Sequence, residues 1–295
     1  MQTSIQLANI QKINCYTNAD LQVDVLRLDE IHPIVNGNKW FKLQYYLADA
    51  IQKNKTEIAS FGGAYSNHIV ALAFACKELN LNCIGFIRVE KSSTPSATLV
   101  AASNYGMDLQ FVNRTDYNNK EALISLHNHP NRYWITEGGY GVLGAQGAST
   151  ILHQLPSNNY THILCSVGSG TMAAGIVNAT KDGQQVIGIS SLKNNTDLES
   201  QVLDLVSTDK KNAFILLHQY HFGGYAKHPA KLIAFMNEFY NKTGIPTDIV
   251  YTGKLFFAMD NLIKENYFDS QTKLLVIHCG GLQGNLSLAK GILPF

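Results

Sequence analysis

Short apolar segments alternate along this chain with segments whose apolar residues recur at helical spacing. The run "EIASFGG" (57–63) is typical of a buried strand, and "SNHIVALAFACKELN" (66–80) has helical periodicity with Ser66 in the N-cap position. The alternation continues to the C-terminus. Further strands are predicted at 82–88, 108–113, 132–136, 161–167, 185–191, 213–218, 248–253 and 273–281, and further helices at 94–106, near 117–127 and near 142–155.

This order of elements predicts an α/β protein with parallel-rich twisted sheets flanked by helices. The candidate strands are too many for one ordinary open sheet, so we expect two α/β layers. Glycine clusters follow several predicted strands, where ligands bind in such sheets and where a backbone must approach a ligand closely. The clusters are "FGGAYSN", "EGGYG", "SVGSGTMAAG" and "HCGGLQG".

Composition and charge limit the kinds of partner that this protein is expected to bind. The 295 residues carry 23 basic and 22 acidic side chains, so there is no basic surplus to neutralise a nucleic-acid backbone. The longest apolar run, "IVALAFAC" (69–76), is far shorter than the roughly 20 residues of a membrane helix. The N-terminal "MQTSIQLANIQK" lacks the pattern of a secretory signal, and five cysteines without a C-x-x-C pair indicate reduced thiols. A soluble, cytoplasmic protein is expected.

The segment "SVGSGT" (166–171) follows an apolar strand and opens a helix. Loop amides at a helix N-terminus form an anion site, for which a phosphate is the natural guest, but a tight strand-to-helix turn explains the same residues. The spacing matches neither a G-x-G-x-x-G fingerprint nor a Walker A loop, which disfavours a dinucleotide or a nucleoside triphosphate.

The sequence gives little support for a metal site or for the catalytic triad of an α/β-hydrolase. His127 and His129, and likewise His218 and His221, lack carboxylate or cysteine companions at zinc spacing, so no metal site is predicted. A G-x-S-x-G nucleophile elbow is missing from the sequence.

The stretch "NGNKWFKL" (36–43) places Lys39 directly after a turn-forming Asn-Gly-Asn, ahead of Trp40 and Phe41, with Lys42 three residues on. A solvated helix start is one interpretation. A reactive amine held in a pocket is the other.

Taken together and in order, several blocks resemble the pyridoxal-phosphate enzymes of the 1-aminocyclopropane-1-carboxylate deaminase and D-cysteine desulfhydrase family. These enzymes belong to the tryptophan-synthase-β-like superfamily, fold type II. The resemblance covers nearly the whole chain. It rests on "NGNKWFKLQYYLADA", "FGGAYSNH", "TEGGYGVLGAQG", "SVGSGTMAAG", "VYTGK" and "IHCGGLQG".

The resemblance implies roles for particular residues. Lys39 matches the lysine that forms the Schiff base with pyridoxal 5'-phosphate, and Lys42 matches a lysine that helps to hold the phosphate. Asn67 matches the residue that bonds the ring O3′, and Ser66 a hydroxyl beside the substrate carboxylate, with His68 counted among the substrate-binding residues. The phosphate loop corresponds to Val167, Gly168, Ser169, Gly170 and Thr171.

The same resemblance places Tyr225 and Tyr251 facing the substrate and Thr252 at the pyridine nitrogen, whereas packing is the ordinary role of a tyrosine beside glycine. Deaminases of the family typically have glutamate at the position of Thr252, which keeps the nitrogen protonated and the ring strongly electron-withdrawing. A neutral hydroxyl supplies no charge. A weaker electron sink suffices for β-elimination, and "YTGK" resembles the desulfhydrase branch.

Two further positions depart from that branch. The chain has Cys279 in "HCGG" where "HTGG" is common, and Tyr65 where glutamine often precedes the Ser-Asn pair. Both positions are expected near the cleft, so the substrate could differ from those of both named enzymes.

The resemblance also implies the architecture. A smaller α/β domain (45–152) is expected to be inserted in a larger cofactor-binding domain (1–44 and 153–295), in a homodimer. The expected reaction on a small amino acid is D-cysteine desulfhydrase-like or 1-aminocyclopropane-1-carboxylate deaminase-like. Other fold type II activities, such as D-serine dehydration or racemisation, stay open, as do non-catalytic storage of pyridoxal phosphate and a nucleotide-binding protein that uses "SVGSGT".

Overall fold

The computed structural model describes residues 6–16, 21–88, 95–155 and 159–295. In this part of the chain, ten strands form two sheets. The strands are β1 (Asn9–Lys12), β2 (Gln22–Arg27), β3 (Glu57–Gly63), β4 (Asn82–Arg88), β5 (Met107–Val112), β6 (Arg132–Trp134), β7 (His162–Val167), β8 (Gln185–Ser190), β9 (Phe214–Leu217) and β10 (Lys273–His278).

One sheet has six strands in the order β1-β2-β10-β7-β8-β9, and all of its pairs are parallel except the antiparallel pair β1–β2. The other has four parallel strands in the order β5-β4-β3-β6. Central strands such as β7, β8 and β10 each contain five consecutive buried residues. Runs buried on both faces are typical of parallel strands covered by helices on both sides.

Ten helices connect and cover the strands in the described residues. None of these helices is long and apolar enough to span a bilayer. The helices are α1 (Asn38–Gln52), α2 (Asn67–Glu78), α3 (Ala97–Asn104), α4 (Arg114–Asn118), α5 (Lys120–His127), α6 (Val142–Ser149), α7 (Thr171–Asn178), α8 (Leu198–Leu203), α9 (Ala230–Thr243) and α10 (Thr252–Lys264). Short 3-10 segments lie at Leu28–Glu30, Glu137–Gly139, Thr150–Gln154, Thr208–Ala213 and Leu282–Ser287.

The predicted α/β class with parallel sheets and flanking helices is confirmed. The predicted strand at 248–253 is wrong. The buried Asp248 carboxylate accepts hydrogen bonds from the backbone N–H groups of Val250, Tyr251 and Thr252 and from the Thr252 hydroxyl, at 2.6–2.9 Å. An aspartate that satisfies these donors forms a turn and starts a helix, so α10 begins where the strand was expected.

The two predicted domains are not separated by the packing of the core. All four strands of the smaller sheet fall within 45–152, but one hydrophobic cluster includes residues from both chain portions, for example Leu43, Ile69 and Ile277. The boundaries of 1–44 with 153–295 and of 45–152 stay a prediction.

The start of α1 is joined to the end of β10 by close backbone contact. Gly37 has φ 71° and ψ −160°, a combination almost restricted to glycine. A Cβ atom on Gly37 would lie 1.9 Å from the carbonyl oxygen of Cys279. That oxygen accepts a hydrogen bond of 3.0 Å from the N–H of Asn38. Trp40 and Phe41 are buried in the core behind the junction.

Replacing Gly37 by alanine should therefore destabilise the protein through both steric overlap and backbone strain. Gly244→Ala is the control, because Gly244 also has a positive φ, 70°, but open space around its Cα. The control should cost roughly 1–2 kcal/mol, and Gly37→Ala should cost at least about 2 kcal/mol more, as overpacking does. Urea unfolding measures the loss in unfolding free energy for both variants. Equal losses would contradict a close contact between Gly37 and Cys279.

Candidate functional site

A cavity of about 670 Å³ lies at the carboxyl ends of β3, β4, β7 and β10. The predicted glycine clusters after β3, β7 and β10 all contribute to its wall, together with the 3-10 segment at Glu137–Gly139. This volume suits a small-molecule or cofactor site. Of the residues to which the resemblance gives a role, ten line the cavity: Lys39, Lys42, Ser66, Asn67, His68, Gly168, Ser169, Gly170, Tyr225 and Tyr251. Tyr65 and Cys279, which were expected near the cleft, also line it.

Lys42 lies beside the loop that was predicted to bind phosphate. Its side chain is only 2% exposed, and its ammonium donates hydrogen bonds to the Gly138 carbonyl oxygen at 3.0 Å and to the Ser169 hydroxyl at 3.3 Å. The loop turns from β7 into α7 through Gly170, whose φ is 83°. Burial, and then the charge of Lys39, push the pKa of Lys42 well below its usual value. An anion on this loop would relieve both effects.

Lys39 follows the Gly37 junction in the first turn of α1 and faces the cavity. Its ammonium forms no hydrogen bond within the part of the chain that the structure describes. Burial lowers the pKa of the Lys39 amine, although Cys279 and Asp248 partly oppose this shift. A lowered pKa enlarges the unprotonated fraction, which is the nucleophilic form of an amine.

The N-terminus of α2 presents Ser66 and Asn67 to the same cavity. Ser66 is the N-cap, as predicted, and its oxygen accepts from the Ile69 N–H at 3.4 Å. The Asn67 amide donates to the Gly281 carbonyl oxygen at 3.2 Å, while its Oδ1 is buried without a partner among the described residues. The helix N-terminus is suited to an anionic group of a ligand, whereas the orphaned Oδ1 of Asn67 needs a hydrogen-bond donor from it.

His68 is a buried and neutral histidine. The Ser60 hydroxyl donates to the Ile135 carbonyl oxygen, so it must accept from His68 Nε2 at 2.8 Å, which leaves His68 Nδ1 unprotonated. No described group donates to that nitrogen. Burial, with the charges of Lys39 and Lys42, lowers the pKa of His68 to about 3.

Tyr225 and Tyr251 form an aromatic pair at the cavity, with ring centroids 6.2 Å apart at 74°. Tyr251 also packs on the phosphate loop, since a Cβ on Gly168 would lie 2.9 Å from its ring. Tyr225 is 54% exposed, so few contacts hold its ring. The two tyrosines thus connect the loop at the base of the cavity with its opening.

Three of the proposed residues do not reach the cavity wall. Val167 and Thr171 are fully buried at the ends of β7 and α7 and support the loop between them. Thr252 is also fully buried, and its hydroxyl is committed to Asp248, donating to Oδ2 at 2.6 Å and accepting from the backbone N–H at 2.7 Å. The expected placement of Thr252 at the ring nitrogen is not supported by this geometry.

Cys279 does line the cavity, as expected of a residue near the cleft. Its thiol lies 3.2 Å from the Ser166 hydroxyl. Burial, followed by the negative charge of Asp248, raises the pKa of this thiol to about 11, so it is protonated at neutral pH.

Sequence reasoning missed two charged residues of the wall. Arg88 ends β4 in register with Gly63 of β3, and Glu137 pairs with Lys120 at 2.9 Å and accepts from the Tyr117 hydroxyl. The rule that ligands bind at strand ends could have identified Arg88. Glu137 precedes the two glycines of "TEGGYG", and nothing in that motif singles out its carboxylate.

Known proteins resemble this chain along most of its length. A family model described as "Pyridoxal-phosphate dependent enzyme" matches residues 16–280. A bifunctional D-cysteine desulfhydrase/1-aminocyclopropane-1-carboxylate deaminase of Arabidopsis thaliana is 27% identical over 281 residues, which are 85% of this chain and 70% of the relative. A 1-aminocyclopropane-1-carboxylate deaminase of Rhizobium rhizogenes is 27% identical over 287 residues, 83% of this chain and 82% of the relative.

A solved structure of an "ACC deaminase homologue" has a TM-score of 0.80 to this chain at 22% identity, covering 96% of this chain and 93% of the other. At that identity the match shows a shared fold.

The neutral state of His68 makes the protein sensitive to acid. Its folded pKa lies below the ordinary value of 6.5, so below pH 6.5 the unfolded chain binds a proton that the folded chain refuses. Stability should therefore fall as the pH is lowered from about 6.5 towards 3. In His68→Gln, the loss in unfolding free energy between pH 7 and pH 5 should be smaller by about 2 kcal/mol.

Urea unfolding of the cofactor-free chain at the two pH values measures this difference. His153→Gln, at an exposed histidine outside the cavity, is the control. An unchanged pH dependence in His68→Gln would show that His68 is not held neutral.

Proposed function

Because the chain belongs to the family of pyridoxal-phosphate-dependent enzymes, we propose that it cleaves a small amino acid by β-elimination, releasing a 2-oxo acid and ammonia. Its cofactor is pyridoxal 5'-phosphate. The names of its relatives support a deaminase or a lyase. More specifically, we propose that the substrate is D-cysteine and that the products are sulfide, pyruvate and ammonia.

The residues of the cavity fit the cofactor. The loop at 168–170 and Lys42 would hold its phosphate, and Lys39 supplies the only amine on the described wall other than Lys42. The orphaned Oδ1 of Asn67 and Nδ1 of His68 leave hydrogen-bonding capacity for a bound polar group. Bound there, the cofactor withdraws electrons from the α-carbon of an amino acid.

The residues of this chain would then orient the substrate and move its proton. The N-terminus of α2 with Ser66 is placed to bind the substrate carboxylate. The Lys39 amine, with its lowered pKa, is the leading base for the α-proton, and Ser66 and Tyr225 are alternatives. Cleavage of the Cβ–S bond sends the electron pair out with sulfur, and water completes the release of pyruvate and ammonia.

One observation favours β-elimination over opening of a cyclopropane ring: among the described residues, no free carboxylate lines the cavity to keep the ring nitrogen protonated. Thr252 occupies the position of the glutamate expected in deaminases. Asp248 accepts four hydrogen bonds and is fully buried, and Glu137, the described carboxylate on the wall, is paired with Lys120. A sulfur leaving group needs a weaker electron sink than a cyclopropane does.

Deaminase activity on 1-aminocyclopropane-1-carboxylate is the second candidate, because the Arabidopsis relative is named for both reactions. A homodimer and a small amino-acid partner stay predictions.

The first test locates the covalent link to the cofactor. We expect that borohydride reduction of the cofactor-loaded protein attaches pyridoxal phosphate to the peptide containing Lys39, which mass spectrometry identifies. Lys39→Ala should lose the adduct, and Lys53→Ala, at an exposed lysine just after the same helix, should retain it. An adduct on any other lysine would overturn the assignment.

The second test compares D-cysteine, L-cysteine, D-serine and 1-aminocyclopropane-1-carboxylate with cofactor-loaded protein, measuring ammonia and identifying the 2-oxo acid. We expect pyruvate and sulfide from D-cysteine at the highest kcat/KM. Faster release of 2-oxobutanoate from the cyclopropane would establish the second candidate, and faster turnover of D-serine a dehydratase. Bound cofactor without ammonia from any substrate would indicate a storage protein and refute the proposal.

A further inference from the structure

Lys254 is a fully buried lysine that none of the steps above uses. It is the third residue of α10, and its ammonium donates to the Gly224 carbonyl oxygen at 2.6 Å and to the Ser191 carbonyl oxygen at 3.4 Å. It forms no ion pair with a described residue, and burial lowers its pKa to about 8, although the charge of Asp248 opposes this shift. Burying a cation is costly unless hydrogen bonds or opposite charges compensate for its lost hydration.

The Lys254 ammonium reaches the loop that carries Tyr225. This loop follows β9 and has an unusual backbone, because the two non-glycine residues Phe222 (φ 53°) and Ala226 (φ 55°) have left-handed conformations, as do the two glycines between them. Such conformations persist only where surrounding contacts impose them. The bond to Gly224 is a charge-assisted contact from outside the loop, beside the residue whose side chain faces the cavity.

Tyr225 is 54% exposed, and its side chain contacts Tyr251, with which it also shares a hydrogen bond. This single neighbour leaves much of the side chain without support, so the backbone on either side contributes to its position. Within the loop, the Gly224 N–H donates to the His221 carbonyl oxygen at 3.0 Å and the Lys227 N–H to the Gly224 carbonyl oxygen at 3.2 Å. These bonds shape the loop, whereas Lys254 joins it to the helix that begins beside Tyr251.

We propose that Lys254 is a positioning residue, which holds Tyr225 at the cavity by tethering the Gly224 carbonyl to the start of α10. The kinetic part of this inference rests on the proposed function, but the tether itself does not. Lys254 acts through Tyr225 and does not touch the substrate.

Limited trypsin digestion of the cofactor-loaded protein tests the tether directly. Lys227 is exposed in the same loop, so opening of the loop exposes the bond after it, which mass spectrometry can identify. In Lys254→Met, cleavage at Lys227 should be roughly tenfold faster than in wild type, as expected for loss of a charge-assisted hydrogen bond. Lys254→Arg, which keeps a charged donor, and Lys264→Met, at an exposed lysine of the same helix, should keep the wild-type rate.

Equal cleavage at Lys227 in Lys254→Met and in wild type would overturn the proposal.

A double-mutant cycle with an amino acid that the enzyme converts tests whether Lys254 acts through Tyr225. Lys254→Met should lower kcat/KM roughly tenfold in the wild-type background but less than about twofold in Tyr225→Phe. Equal losses in both backgrounds would refute action through Tyr225. If no amino acid is converted, the proposed function fails, while the cleavage at Lys227 still decides about the tether.

Discussion

The contact between the backbone at Gly37 and the backbone at Cys279 is the constraint on which the site depends. It joins the start of α1 to the end of β10, a strand between β2 and β7 in the larger sheet. Because α1 carries both Lys39 and Lys42, the contact fixes both amines relative to the phosphate loop after β7. A side chain at Gly37 would separate the two elements, so the position of the reactive amine depends on a residue that has no side chain.

Among the described residues, the cavity wall carries three basic side chains, Lys39, Lys42 and Arg88, and one acidic side chain, Glu137. Lys39 and Lys42 lie within reach of each other's charge, His68 is kept neutral beside them, and the carboxylate of Glu137 is paired elsewhere. Two amines in a confined volume depress each other's protonation. A phosphate on the loop would stabilise the cation at Lys42 and would leave the Lys39 amine able to react. The negative charge of the ligand would therefore compensate the positive charge of the site.

Much of the fold could be predicted from the sequence because parallel strands buried on both faces form continuous apolar runs. The strands at 57–63 and 82–88 were found at the predicted residues, and the glycine clusters converge on one cavity. The sequence alone does not reveal interactions between residues that are far apart along the chain. Asp24 interrupts β2 with a charge that is acceptable because the Tyr160 hydroxyl, far along the chain, donates to it at 2.9 Å.

Thr252 illustrates the same limit at the site. The neighbouring aspartate binds its hydroxyl, and nothing in the letters "DIVYTG" distinguishes a strand from a capped turn. The motifs converge on one cavity, whereas the orientation of individual side chains is set by local hydrogen bonds.

The burial of Cys279 bears on chemical selectivity inside the cavity. An aldehyde that enters meets an amine at Lys39 and a thiol at Cys279, and both are nucleophiles in their unprotonated forms. Burial acts on the two in opposite senses, lowering the pKa of the amine and raising that of the thiol to about 11. The same burial therefore favours the nucleophilic form of the Lys39 amine and disfavours that of the Cys279 thiol, so an aldehyde in this cavity would react with the amine in preference to the thiol.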